Sequence, residues 1–316
     1  MKRSIAVVMD PIERINTAKD TSFALMLEAQ RRGYDLFYVE PGSLSVQHAL
    51  AHGRLATLKI KDVKNQYFEL GEWQNTALSS VDAVLMRKDP PVDDQFIHDT
   101  QILSLAESQG VLVVNRAQGL RDMNEKLTTL LFPQCCPETL VSRSMTDLKE
   151  FIRRHGDTVV KPLNGMGGKS IFRIRHGDGN ANVILETLTD SGSLTMAQKF
   201  IPEIAQGDKR ILLVDGEPVP YVLARIPQGD EFRGNLAAGG RGQGQPLSER
   251  DRWIAQQVGP WLKEQGMLFV GLDVIGDYLT EVNVTSPTCV RELDAQFGLN
   301  IAGLLFDAIE ARLAKT

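Results

Sequence analysis

The stretch LFVGLDVIGDYLTEVNV, residues 268–284, leaves few ways to fold. Alternate side chains of a strand share a face, so Val270, Leu272 and Val274 form one apolar row with Asp273 turned the other way. Val282 and Val284 repeat the pattern and leave Glu281 and Asn283 together on the opposite face. A turn over 276–278 would pair the two strands and set Asp273 opposite Glu281. Two carboxylates and an amide oxygen then make an all-oxygen cluster of the kind that holds Mg²⁺ between a protein and nucleotide phosphates. A hairpin whose second face is simply solvated gives the same alternation. Against that alternative, directly opposed acids repel unless something cationic sits between them.

The first 120 residues have another texture. SIAVVMD (4–10), YDLFYVE, SVDAVLMRKDPP (80–91) and GVLVVN (110–115) read as strands, with helices predicted over SFALMLEAQRRG (22–33) and DDQFIHDTQILSLAESQG. That alternation predicts a small open α/β domain with a mostly parallel sheet, whose ligands sit beyond the carboxyl ends of strands, where Asp10 and Arg87 fall. RDMNEKLTTLLF reads as a helix. After it come a strand, helix, strand, glycine loop and strand, then the strand TMAQKFIP (195–202). DKRILLVDGEPVPYVLARIP reads as a further hairpin, and helices are expected over DRWIAQQVGPWLKEQG and at the C-terminus.

The glycine loop KPLNGMGGKS, Lys161 to Ser170, fits neither common phosphate-loop pattern. Leu163 stands where a mononucleotide loop needs glycine, and Ser170 where a dinucleotide loop needs its third. Three glycines in four residues still let backbone amides close on an anion, and Lys161 and Lys169 flank them; a plain turn between strands is the alternative. Arg225, Arg233 and Arg241 surround a glycine-rich segment that suits either a solvated surface loop or a lid that captures phosphate or carboxylate. Ser286 and Thr288 make either a carboxylate nest or an ordinary capped turn. Lys126 reads as a phosphate contact or an exposed lysine, and Cys289 as a small buried residue rather than a nucleophile.

At 316 residues the chain suits two or three domains, and its net charge of −5 speaks against a partner that is a nucleic acid or a membrane surface. No apolar stretch approaches membrane length, and Asp10 and Pro11 end the N-terminal apolar run too early for a signal peptide. Three cysteines, two of them adjacent, fit neither a disulfide framework nor a zinc site, which points to a reducing cytoplasm.

Taken together and in order, LMRKDPP, NEKL, KPLNGMGG, GDKR, GEPVPYVLARIP, RGNLAAGG, FVGLDVIG and TEVNVTSPTCVRE closely resemble the bacterial glutathione synthetases of the ATP-grasp superfamily. The departures are small: Asn164 where the family often has Asp, and Val282 where Ile is usual. The resemblance implies an N-terminal open α/β substrate domain (1–123) followed by a two-lobed ATP-grasp fold, α+β in character, with a central lid domain (124–200) and a catalytic domain (201–316). It implies that Lys126 and Lys161 meet the ATP phosphates, and that Gly165, Met166, Gly167 and Gly168 form the flap over them. Gln198, Lys199, Phe200 and Ile201 would receive adenine, with Asp208 near the ribose. Asp273, Glu281 and Asn283 would hold two Mg²⁺ ions, with Mn²⁺ as the alternative. Lys19, Arg87, Asn283, Ser286, Thr288 and Glu292 would bind γ-glutamylcysteine, Arg210 and Arg225 would meet the transferred phosphoryl group, and Arg233 and Gly240 belong to the lid. The implied reaction joins γ-glutamylcysteine to glycine through an acyl phosphate in a cytoplasmic homotetramer. Another ATP-grasp carboxylate–amine ligase, with a different acid or amine, is the alternative.

Overall fold

Strand β1 (Ser4–Val8) faces two cores at once. The computed structural model describes residues 2–165, 167–229, 234 and 239–315. Ile5 and Val7 point to one side of the sheet, and Ala6 and Val8 to the other. On the first side lie Phe23 and Met26 of α1 (Thr21–Arg31) and Phe306 of α8 (Ile301–Leu313); on the second lie Phe96 and Leu103 of α2 (Asp94–Ser108). A run that is apolar at every position from Ile5 to Val8 suits a strand covered on both faces. Asp20 caps α1 by accepting from the Phe23 amide at 2.6 Å, and Asp93 caps α2 in the same way.

The first sheet adds β2 (Asp35–Val39), β3 (Ser45–Gln47), β4 (Leu50–Ile60), β5 (Phe68–Ala77), β6 (Ala83–Met86) and β7 (Leu112–Val114). Its order is β3-β4-β2-β1-β6-β7, with β5 on the free side of β4. The pairings among β2, β1, β6 and β7 are parallel, but those of β4 with β2, β3 and β5 are antiparallel. The expectation of a mostly parallel sheet is therefore corrected: an antiparallel hairpin forms one flank. The helix expected over RDMNEKLTTLLF is also corrected. Helix α3 (Ala117–Asp122) stops there, and Asn124 turns its side-chain oxygen onto the amides of Lys126 and Leu127, so a 3-10 turn (Leu127–Leu131) follows.

The second sheet, β10-β9-β11-β8, comprises β8 (Thr139–Ser142), β9 (Asp157–Pro162), β10 (Phe172–Arg175) and β11 (Thr195–Lys199). Helices α4 (Met145–His155) and α5 (Ala181–Leu188) cover it, enclosing a small core around Leu148, Val160, Ile174 and Leu185. The third sheet, β14-β13-β12-β15-β16, comprises β12 (Asp208–Val214), β13 (Glu217–Ile226), β14 (Arg241–Pro246), β15 (Phe269–Ile275) and β16 (Tyr278–Asn283). It repeats the logic of β1: Ile211 and Leu213 join the core under α6 (Glu249–Glu264), whereas Leu212 and Val214 join the one under α8. The first and third sheets thus share both large cores. Helix α7 (Val290–Phe297) follows the site loop.

Candidate active site

The β15–β16 register sets Asp273 opposite Glu281 and Gly271 opposite Asn283, as the alternation predicts. Across β15, Arg210 of β12 is the partner of Asp273, and Asp208 is the partner of Arg225 on β13. A band of alternating charge therefore crosses three strands. Gly271 leaves room for it, since a Cβ there would lie 2.8 Å from Arg210 Cδ.

Arg210 donates to Asp273 through Nε (2.5 Å) and Nη2 (3.0 Å), and Arg225 Nη2 reaches Asp273 Oδ2 at 2.8 Å and Asp208 Oδ2 at 2.5 Å. All four side chains are buried. Burial pushes the Asp273 carboxyl up, but the two guanidinium groups prevail and hold it well below the carboxylate range. Asp208 shifts the other way: burial and the Asp273 charge raise it to about 6 against Arg225. Arg225 and Arg241, grouped with the glycine-rich loop by sequence, lie in β13 and β14.

Next to this band, the Lys126 ammonium is 1 % exposed, bonded to Glu125 and to the Gly165 carbonyl (2.8 Å), and 3.5 Å from Glu281. Against its burial, Glu281 and Glu125 raise the Lys126 pKa, and burial together with the Glu281 charge pushes Glu125 up to about 7. Lys161 is also buried, with Nζ 3.4 Å from the Thr280 carbonyl, and burial lowers its pKa. The glycine loop joins the antiparallel pair β9–β10, and Gly167 and Gly168 take left-handed φ values of 62° and 80°.

Two cavities meet at Glu281. One, about 650 Å³ with its open mouth, is lined by Lys161, Gln198, Lys199, Phe200, Ile201 and Asp208. The other, about 790 Å³, is lined by Arg210, Arg225, Asn283, Ser286 and Thr288, with Gly167 overhead. Glu281 is in the wall of both. Lys19, Arg87 and Glu292 stand outside both linings. Arg87 is buried, donates to Ser22 Oγ and the Pro287 carbonyl (both 3.0 Å), and burial lowers its pKa to about 10. Glu292 Oε2 and Asp208 Oδ1 are buried without a hydrogen-bond partner. Gly240 precedes β14, while Arg233 and Met166 lie outside the described residues.

Among the described residues no group of three His, Cys, Asp or Glu side chains is arranged to hold a metal ion. Both Asp273 oxygens are taken by arginines, so it could serve a metal only by exchanging a guanidinium contact. Glu281 and Asn283 fit a hard cation better. Asn283 donates its amide nitrogen toward the Gly271 carbonyl (3.4 Å) and keeps its oxygen available. Glu125 and Glu281 crowd one ammonium, an excess of negative charge that a divalent cation relieves.

Two contributors are absent from the sequence reading. Glu125 lines the second cavity, and Asn115 anchors the site from the first sheet, donating to the carbonyls of Phe269 (2.7 Å) and Val284 (2.6 Å) while accepting from the Phe269 amide. The asparagine ending GVLVVN is visible in sequence, but its partners lie about 150 residues away.

The fold is that of the ATP-grasp ligases. D-cycloserine synthetase DcsG superposes with a TM-score of 0.68 at 14 % identity, over 98 % of this chain and 100 % of that one. The ATP-grasp ligase PsnB, solved with minimal precursor, Mg and ADP, gives 0.62 at 15 % identity, over 98 % of each chain. In sequence, residues 3–121 match the prokaryotic glutathione synthetase N-terminal domain and residues 125–298 its ATP-grasp domain. The glutathione synthetase of Xanthomonas campestris pv. campestris is 67 % identical over the full length of both chains, and that of Salmonella typhimurium 57 % over 98 % of this chain and 99 % of that one. The chain belongs to the prokaryotic glutathione synthetase family and is an ATP-dependent ligase of glutathione biosynthesis.

Proposed function

We propose that the nucleotide cavity presents the γ-phosphate of ATP at Glu281, and that the adjoining cavity presents the cysteinyl carboxylate of γ-glutamylcysteine to it. The observation that carries this reading is the shared Glu281 wall: the two substrates would meet at one point, in line for phosphoryl transfer. Lys126 and Lys161 hold the phosphates, and the amides of Gly165, Gly167 and Gly168 close over them. Gln198 to Ile201 seat adenine, and the unpartnered Asp208 oxygen suits a ribose hydroxyl. Arg210 and Arg225 offset the charge of the acceptor carboxylate and of the transferring group. Mg²⁺, as two ions or replaced by Mn²⁺ and held by Glu281 and Asn283 with Asp273, would neutralise the phosphates.

A carboxylate resists amine attack, whereas its acyl phosphate is a good electrophile. The amine of glycine attacks that carbonyl, phosphate leaves, and the peptide bond of glutathione remains. Water would destroy the intermediate, which gives the flap its purpose. Lys19, Arg87, Ser286, Thr288 and Glu292 complete the dipeptide site; the buried Arg87, with no carboxylate in ion-pair contact among the described residues, suits a substrate anion.

The division into residues 1–123, 124–200 and 201–316 belongs to the same proposal, supported by the three sheets lying in those segments. So do a cytoplasmic setting, with which three unbonded cysteines agree, and a homotetramer, which rests on family likeness. No helix among the described residues is long and apolar enough to cross a membrane.

Hydroxylamine tests the intermediate. With Mg-ATP and γ-glutamylcysteine but no glycine, the dipeptide hydroxamate should accumulate. ADP formation without hydroxamate would refute the acyl phosphate.

A further inference from the structure

We propose that Asp89 is a specificity-determining residue that binds the α-ammonium of the acceptor dipeptide. The proposal rests on the reading of the second cavity as the dipeptide site. Three carboxylates line that cavity: Asp89, Glu125 and Glu281. Glu125 and Glu281 share the Lys126 ammonium. Asp89 has no cation within ion-pair distance among the described residues. Its neighbour Lys88 pairs with Asp10 instead, at 3.2 Å.

The Asp89 carboxylate is also held in place. Its backbone amide donates to Asp10 Oδ2 at 2.9 Å, Lys88 Nζ donates to its carbonyl at 2.9 Å, and Ser286 Oγ donates to Oδ1 at 2.5 Å. One side-chain oxygen is engaged, and Oδ2 is left for a further donor. Across the cavity, the buried Arg210 and Arg225 supply two cations. A γ-glutamyl dipeptide carries two carboxylates and one ammonium. The cations answer the first, and Asp89 is the unpaired carboxylate in the wall left to answer the second. Asp20 is occupied otherwise, since it caps α1, and Glu292, although its Oε2 is also unpartnered, stands outside the lining of this cavity.

The charge can be removed from either side of this contact. Glutarylcysteine has the skeleton of γ-glutamylcysteine without the α-ammonium. In the unaltered enzyme, kcat/KM should fall by about 10- to 100-fold from the dipeptide to this analogue. Asp89→Asn should lose a similar factor on the natural dipeptide, chiefly in KM, and should scarcely distinguish the two. Its KM for glycine should stay within about twofold, since a charged hydrogen bond lost at one substrate need not touch the other. Ser286→Ala should weaken both acceptors while keeping the discrimination. If Asp89→Asn discriminates as strongly as the unaltered enzyme, Asp89 only supports Ser286 and the inference fails. If the unaltered enzyme makes no tripeptide from γ-glutamylcysteine and glycine, the reading of the site fails, and this inference with it.

Discussion

Glu281 is where the chemistry is most exposed to test. It is half-buried, opposes Asp273 and stands between two cavities, so Glu281→Gln removes charge without removing volume. Turnover should fall by at least about 100-fold, as when a transition-state charge partner is lost, while the melting temperature changes by only a few degrees. Near-normal turnover would remove Glu281 from the reaction. Asp273, Glu281 and Asn283 were legible in sequence because strand alternation assigns faces without tertiary information. The arginine partners of Asp273 were not, since Arg210 and Arg225 reach it only through sheet pairings with residues 48 to 63 positions distant. For the same reason the alternation put Asp273 in an all-oxygen metal cluster, where the fold supplies two guanidinium groups.

Among the elements, α1 and α8 are joined by charge as well as by apolar packing. Arg32 contacts Glu28 (2.7 Å), Asp307 (2.7 Å) and Glu310 (3.2 Å), and Arg31 adds a second contact to Glu28. Hydrogen bonds from Arg31 and Arg32 outweigh burial and lower the Glu28 pKa to about 2. Because the folded value lies below the unfolded one, near 4.5, this stability is present above the unfolded value and is lost as pH falls toward 2. Glu28→Gln should therefore cost about 1–2 kcal/mol at pH 7 in denaturant titrations, and the difference should shrink between pH 4.5 and 2. A difference independent of pH would place the effect in packing instead. Helix α1 was readable from its apolar spacing and the glycine that closes it. Strands β4 and β5 were not: LAHGRLATLKI and FELGEWQNTA mix charge, glycine and aromatics, and a register shift between Ala56 and Leu58 breaks the period of two.

For the whole molecule, the first and third sheets share two cores, whereas the second sheet keeps a small core of its own. The glycine loop is carried by that separate lobe, which touches the rest through contacts such as Lys161 Nζ to the Thr280 carbonyl. Hydrogen exchange should be faster in residues 139–199 than in β1 and β12, and a non-hydrolysable ATP analogue with Mg²⁺ should slow it mainly at 159–171 and 198–201. Protection spread evenly over the first sheet would contradict this division. Sequence suggested the segments, but the sharing of cores appears only once the first and third sheets contribute to the same apolar clusters. The central claim is that one site couples ATP to peptide-bond formation. Phosphate release by the purified protein with Mg-ATP, given γ-glutamylcysteine alone, glycine alone or both, tests it most directly, with the tripeptide followed by mass spectrometry. Sustained release only with both, matched one for one by glutathione, is the predicted result; release without glutathione, or none, would contradict the account.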